Sequence, residues 1–235
     1  MTTPHDLSQR TRARIQEKLG LHEQRPPLPL RSPLSPTPVG EVRVLAGGPL
    51  CRLVYVALAL PQLGLDSHML FAATPPEQMV PHFTLDAVQT GDSCSLHLDL
   101  LPRLELATHL DYMDLVYRPL TPALEALRQL EGVSAVQLPV PHQALLNPWS
   151  IVGRATAAAF ARIEPIVTAY LEHWLALVAR GVTLPEPGPA VVAERDRRYL
   201  MALFSPSLDP VWSKLERLLG SEQTGRVRGI LLGTE

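Results

Sequence analysis

The sequence predicts an α+β domain in which helices cover one or both faces of a largely antiparallel sheet. Three observations support this fold class. Polar and apolar residues alternate in strand-like segments up to residue 102, and helical periodicity replaces that pattern after Pro102. Short turns separate the strand-like segments, and a parallel crossover would need a dozen or more residues. At 235 residues the chain is long enough for one substantial domain with its own core.

The first forty residues are expected to form a flexible segment that ends in a proline-rich linker. Residues 7–21 have a sparse apolar face among many charges, which is only a weak helical pattern. Six prolines fall between Pro26 and Pro38, and such a density disfavours both helices and sheet ladders. This part is interpreted as a linker or as a strap on the domain, and residues 41–235 as a single domain.

Five strands are expected next, the last two of them as a hairpin. They cover residues 41–46, 50–60, 67–73, 81–88 and 94–102. Glycines in the intervening segments supply turn chemistry, and in the hairpin the turn contains Gly91.

Helical periodicity predicts five helices after the hairpin. They cover residues 104–117, 122–130, 153–180, 190–204 and 210–219. Pro165 is expected to kink the third of them. Asp209 is expected to be the N-cap of the last helix, because proline follows it at the first helical position.

The hairpin also carries the residues best suited to chemistry. Successive side chains of a strand point to opposite faces, so His82 and Asp86 share one face of the first strand, and His97 and Asp99 share one face of the second. If Asp86 lies opposite Asp99, repulsion between the carboxylates raises the pKa of one of them strongly. A protonated acid near a histidine can give protons to a substrate that gains electrons. An ordinary polar strand surface is the alternative interpretation.

Composition argues against several other functions. The net charge of −2 and the charged fraction of 19% give no basic excess for binding nucleic acid. Two cysteines are too few for a disulfide framework, and the eight histidines are too dispersed to predict a metal site. Dinucleotide, P-loop, zinc-protease and serine-hydrolase motifs do not occur. Acidic residues offset the basic C-terminal part, which favours a solvated face over a surface for an acidic partner.

No targeting or membrane-spanning segment is expected. The N-terminus lacks a charged region followed by an apolar one, and its acidic residues and prolines are unlike a transit peptide. The longest apolar run, residues 54–63, is interrupted and far shorter than the roughly 20 residues that span a bilayer. These features predict a cytoplasmic protein.

The hairpin and the residues after it resemble red chlorophyll catabolite reductase, a relative of the ferredoxin-dependent bilin reductases. The central residues that carry the resemblance are Pro81-His82-Phe83, Asp86, Gln89, Leu98 to Arg103, His109, Asp111-Tyr112 and Tyr117. Looser similarity continues through residues 127–133, 194–196 and 209–220, so the resemblance covers about residues 40–232. It implies an α/β/α sandwich with a central antiparallel sheet.

The resemblance also implies a reaction. Enzymes of this family hold no flavin, haem or metal. Ferredoxin, an iron–sulfur protein, delivers electrons singly to a bound open-chain tetrapyrrole, and side-chain acids supply protons through radical intermediates. The chain is therefore expected to be an oxidoreductase acting on CH–CH groups, with ferredoxin and a linear tetrapyrrole, red chlorophyll catabolite or a bilin, as its partners. Two alternatives stay open: a reductase of a non-tetrapyrrole conjugated substrate in specialised metabolism, and a non-catalytic pigment-binding protein.

The resemblance assigns catalytic roles to three acids. Asp86 occupies the strand position where the chlorophyll-catabolite branch typically has a glutamate. Asp209 is the best match for a further acid near the C-terminal helices, ahead of Asp196. Asp99 falls where many bilin reductases have a proton-donating acid, and capping of the turn after the strand is its alternative role.

Two histidines are expected to bind the substrate. His82 lies beside the aligned strand face and could hydrogen-bond a lactam oxygen or relay a proton, with a packing role as the alternative. His97 shares the face of Asp99 on the second strand.

Overall fold

An antiparallel sheet forms the centre of the computed structural model, which describes residues 2–235. In chain order the strands are β1 (His22–Glu23), β2 (Leu28–Leu30), β3 (Gly40–Gly47), β4 (Leu50–Leu60), β5 (Leu65–Ala73), β6 (His82–Thr90), β7 (Ser93–Leu101), β8 (Val133–Ala135) and β9 (Ile151–Thr156). Their order in the sheet is β1-β3-β4-β5-β6-β7-β9-β8, and β2 also pairs with β3. The five predicted strands correspond to β3–β7.

Helices cover both faces of this sheet. They are α1 (Pro4–Leu19), α2 (Leu110–Val116), α3 (Thr121–Arg128), α4 (Val140–Gln143), α5 (Ala157–Phe160), α6 (Glu164–Arg180), α7 (Pro189–Leu203), α8 (Val211–Leu219) and α9 (Ser221–Leu232). One apolar core lies between the sheet and α1, α2, α3 and α6. A second core lies between the other face and the end of α7, α8 and α9. The predicted α+β class and α/β/α layering are confirmed.

The N-terminal forty residues differ from the expected flexible segment. Thr3 and Asp6 form a capping box at the start of α1, and Gly20 ends the helix in the left-handed conformation. Leu7 and Ile15 of α1 are 2% and 0% exposed within the core. The prolines that follow do not detach the chain, because β1 and β2 pair with β3 at the sheet edge, where proline is tolerated.

The predicted helix over residues 153–180 is wrong in its first part. Residues Ile151–Thr156 form β9, which pairs with β7 and β8. The buried residues of β9 include Gly153 and Ala155. Because these residues are small, they do not give the clear alternation of apolar and polar side chains that indicates a strand. Pro165 lies in the first turn of α6, where proline is favoured, and so it does not kink the helix.

Two features of the C-terminal region also differ from the sequence expectation. The last predicted helix is α8, which begins at Val211 after Pro210, one position later than expected. Helix α9 follows it without having been predicted, because Gly225 and Gly229 weaken its helical pattern. Among the described residues, no helix is long and apolar enough to cross a membrane.

Candidate functional site

A cavity of about 230 Å³ lies between the sheet and the C-terminal helices. Most of its wall is apolar, made by Val56, Leu58, Met69, Phe71, Val88, Leu203, Phe204, Val211, Trp212, Leu215, Val227 and Leu231. Its polar side chains are Ser67, Thr84, Asp86, His97, His142 and Asp209. An apolar cavity with a few convergent polar groups is the usual form of a site for a small organic molecule.

Asp86 and His97 form a pair on the sheet wall of the cavity. They are directly opposite each other in β6 and β7, and the Asp86 Oδ2 to His97 Nδ1 distance is 3.1 Å. Burial lowers the pKa of His97, but the hydrogen bond to Asp86 and the nearby carboxylate charges together raise it above its usual value.

The expected pairing of Asp86 with Asp99 is wrong by two residues along β7. The hairpin has a two-residue turn at Gly91 and Asp92, which places Asp99 opposite Thr84 instead. Gly91 has a φ of 57°, which favours glycine in the turn. A tight turn fixes the register, and the strand patterns alone did not specify that turn.

Asp209 lies on the opposite wall, at the start of α8. Pro210, not Asp209, is the N-cap of α8, which corrects the expected capping role. Asp209 Oδ1 still accepts a hydrogen bond from the Val211 backbone N–H at 2.9 Å and so satisfies a donor of the first helical turn. Burial raises the pKa of Asp209, and the Asp86 carboxylate adds to the rise, while Val211 and His142 oppose it. The fold therefore brings Asp86 and Asp209 to one cavity from distant parts of the chain.

His142 joins this cavity, although no pattern in the sequence marks it as a site residue. It lies in the short helix α4, and its Nδ1 is 4.0 Å from Asp209 Oδ1. The surrounding prolines gave no periodicity that would connect it to the hairpin. Only the tertiary structure reveals that it faces the C-terminal acid.

Three polar atoms at the cavity are buried without a hydrogen-bond partner in the described protein. They are His97 Nε2, His142 Nδ1 and Trp212 Nε1. A buried polar atom without a partner costs free energy, and few such atoms occur in native folds. Their concentration at one cavity indicates a place where a ligand supplies the missing partners.

No protein-family model and no curated protein sequence matches this chain. A solved structure does: phytochromobilin synthase from tomato, crystallised in complex with biliverdin, superimposes with a TM-score of 0.76. The superposition covers 98% of this chain and 83% of that chain, at 19% sequence identity. This chain has the fold of phytochromobilin synthase. The similarity to a bilin-binding protein confirms the fold that the family resemblance implied.

Within the phytochromobilin synthase fold of this chain, Asp99 lies beside the cavity and does not line it. Its side chain is 0% exposed and accepts hydrogen bonds from Asn147 Nδ2 at 2.6 Å and Ser150 Oγ at 2.5 Å. Burial raises the pKa of Asp99 to about 6, against the opposing effects of His97 and these donors. Asp99 therefore acts on the cavity through its charge on His97 and through the loop that it holds.

His82 does not line the cavity either, which corrects its expected contact with the substrate. Its Nε2 is 2.9 Å from Asp196 Oδ1, and its Nδ1 accepts the Thr74 backbone N–H at 3.0 Å. Arg103 completes this buried cluster, with its guanidinium 3.3 Å from Asp196. Burial lowers the pKa of His82 to about 4, so the ring is neutral. Asp196, the second candidate for the C-terminal acid, belongs to this cluster.

Metal ligands do not gather in the described part of this phytochromobilin synthase-like fold. Among residues 2–235, no group of three or more His, Cys, Asp or Glu side chains has an arrangement that could hold a metal ion. The polar groups of the cavity form two His–Asp pairs instead, and pairs of this kind can hold and transfer protons.

Proposed function

We propose that the protein is a cytoplasmic, ferredoxin-dependent reductase that acts without a bound cofactor on an open-chain tetrapyrrole, either red chlorophyll catabolite-like or a bilin. One observation carries the proposal: Asp86 and Asp209 converge from opposite walls on an apolar cavity. The shared fold with a protein crystallised with biliverdin supports this choice of ligand class.

Reduction of one double bond needs two electrons and two protons. In the proposed reaction, ferredoxin supplies the electrons one at a time, and the double bond becomes a CH–CH group. Asp86 with His97, and Asp209, supply the protons. The raised pKa values of His97 and Asp209 favour protonated forms closer to neutral pH, which general acids require.

The apolar wall has a separate role in this proposal. It packs against the conjugated rings and keeps water from the site, so that charges of radical intermediates interact more strongly with the side-chain acids. Asp99 supports the reaction without touching the substrate, because its charge raises the pKa of His97. His82 keeps the structural role that its buried partners indicate.

The test is anaerobic incubation of the protein with biliverdin and chemically reduced ferredoxin, followed by visible absorption. We expect the wild-type protein to bind biliverdin and to convert it, with loss of the biliverdin spectrum. Asp86→Asn should bind biliverdin and lower the rate by about 100-fold or more, the usual effect of losing a general acid. The matched control is Asp92→Asn in the exposed turn of the same hairpin, which should leave the rate unchanged.

Each alternative function gives a distinct result in this assay. A pigment carrier would bind biliverdin but leave its spectrum unchanged after reduced ferredoxin is added. A reductase of another conjugated substrate would not bind biliverdin. Either result would contradict the proposed reaction.

A further inference from the structure

His142 and Asp209 form a second His–Asp pair that faces the Asp86–His97 pair across the cavity. The side chains of His142 and Asp209 are only 13% and 22% exposed. The Nδ1 to Oδ1 distance of 4.0 Å is within reach of an ion pair but too long for a hydrogen bond. His142 Nδ1 has no other partner, so this polar atom is buried beside a carboxylate that it does not yet contact.

The segment that carries His142 is fixed to the domain on its C-terminal side. The hydroxyl group of Tyr199 in α7 donates a hydrogen bond to the Leu145 carbonyl at 2.6 Å. The side-chain amide of Asn147 donates a hydrogen bond to Asp99 of β7. Within the segment, Gln143 Nε2 donates to the Leu138 carbonyl at 2.7 Å. These contacts hold His142 at the cavity, and a shift of about 1 Å would bring its Nδ1 to hydrogen-bond distance from Asp209.

We propose that His142 is a positioning residue for Asp209, holding that carboxyl group toward the ligand by a hydrogen bond from its Nδ1–H. This inference rests on the proposed reductase function. In that reaction Asp209 gives its proton to the substrate after an electron has arrived from ferredoxin, and a carboxylate remains. His142 then stabilises the carboxylate until solvent returns the proton. The charged groups that face Asp209 are otherwise those of Asp86 and His97.

A purely structural histidine fits these observations less well. A packing histidine would satisfy its ring nitrogens, as His82 does with Thr74 and Asp196. His142 Nδ1 has no hydrogen-bond partner and lies 4.0 Å from Asp209 Oδ1. The arrangement also repeats the Asp86–His97 pair on the other wall, so that each acid of the cavity has its own histidine.

The first test compares His142→Asn with His142→Leu. Asparagine places an amide N–H near the position of Nδ1, whereas leucine keeps the volume and removes the donor. We expect His142→Leu to lower the single-turnover rate of biliverdin reduction by about 10- to 100-fold, as for a lost hydrogen bond to a charged group. His142→Asn should recover most of this rate, and biliverdin binding should change little in either variant.

The effects of His142→Leu and Asp209→Asn on the rate should also be coupled. In an Asp209→Asn background, His142→Leu should lower the rate no further, because the carboxyl group that His142 positions is then absent. Additive losses, or equal losses in the leucine and asparagine variants, would overturn the proposal.

A measurement without ligand separates this inference from the proposed function. Titration of the Asp209 carboxyl carbon by NMR in the pigment-free protein should give a higher pKa in His142→Leu than in the wild type, because His142 lowers the pKa of Asp209. An unchanged pKa would refute the contact even if biliverdin is reduced. A raised pKa in a protein that does not reduce biliverdin would support the contact and reject the reductase.

Discussion

At the scale of single residues, histidine and aspartate have different roles in the two clusters near Phe71. The rings of His82 and Phe71 pack edge to face at a centroid distance of 5.5 Å, and His82 belongs to a network with Thr74, Arg103 and Asp196. Phe71 also lines the cavity that contains Asp86 and Asp209. Satisfied hydrogen bonds therefore distinguish the structural histidine from those of the cavity.

The buried His82 makes stability depend on pH. Its pKa is about 4 in the fold and 6.5 as a free side chain, so the unfolded chain binds the proton more tightly. The contribution of His82 is therefore complete above pH 6.5 and is lost as the pH falls toward 4. We expect the free energy of unfolding to lose about 3 kcal/mol from this residue over that window, from the usual cost of a pKa shift.

Urea unfolding of the wild type and His82→Gln at several pH values would measure this effect. The difference in free energy of unfolding between them should shrink on acidification from pH 7 to pH 4. The comparison with His82→Gln is needed because Asp99 has the opposite effect on the pH dependence of stability. Burial raises the pKa of Asp99 from 3.8 to about 6, so the contribution of Asp99 to stability is lost as the pH rises. His22→Gln, at an exposed position, is the control and should change the free energy of unfolding by no more than about 0.5 kcal/mol. A constant difference between the wild type and His82→Gln would contradict the prediction.

At the scale of elements, α1 shows how a weak sequence pattern can still form a packed helix. The side chains of α1 that enter the core are few, but Leu7 and Ile15 are almost fully buried against the sheet and α6. Arg10 and Arg14 add ion pairs to Glu164 and Glu172 of α6. Both pairs are substantially exposed, so burial of the apolar side chains contributes more to docking than the charges do.

We expect Ile15→Ala to lower the free energy of unfolding by about 2–5 kcal/mol, because it removes buried methyl groups and leaves a cavity. Thermal or urea unfolding followed by circular dichroism measures the change. Glu17→Ala lies on the exposed side of the same helix and should change stability by no more than about 0.5 kcal/mol. If Ile15→Ala were equally neutral, α1 would not be part of the cooperative unit.

Strands were more predictable than helices for a physical reason. Alternation with period two places His82 and Asp86 on one face of β6, and His97 and Asp99 on one face of β7, whatever the exact strand ends, so the polar face of each strand follows from the sequence. The cross-strand partner depends on one turn, and a two-residue turn replaced the expected Asp86–Asp99 pair by Asp86–His97. His142 could not be predicted at all, because it reaches the cavity only through contacts of its loop with Tyr199 and Asp99.

At the scale of the whole molecule, the two faces of the sheet differ: one is filled by apolar side chains, and the other holds the cavity. The face under α1 and α6 is filled by large apolar side chains such as Phe83 and Trp174. The face under α8 and α9 leaves the cavity with its two acids. Its volume of about 230 Å³ is below the roughly 300–1,000 Å³ of typical ligand pockets, so a four-ring ligand must extend beyond it or move the C-terminal helices outward.

The charge of the cavity wall predicts how a linear tetrapyrrole would lie. Among the described residues that line the cavity, two are aspartates and none is lysine or arginine. A carboxylate side chain of the ligand would be repelled there and would lose its hydration without gaining a cation, at a large cost in free energy. The ring system should therefore enter the cavity, while any carboxylates stay in solvent or at the rim.

Biliverdin dimethyl ester tests this orientation, because esterification removes the carboxylate charges and keeps the four rings. Titration followed by visible absorption should give a dissociation constant within about fivefold of that for biliverdin, since ion pairs at an exposed rim contribute no more than about 1 kcal/mol. A weakening of more than about 10-fold would place a carboxylate against a buried hydrogen-bonding group. Asp86→Asn supplies the matched control: if the carboxylates lie outside, removing this negative charge should change the affinity for biliverdin and for its ester equally. A carboxylate inside the cavity would make the variant bind biliverdin, but not the ester, more tightly.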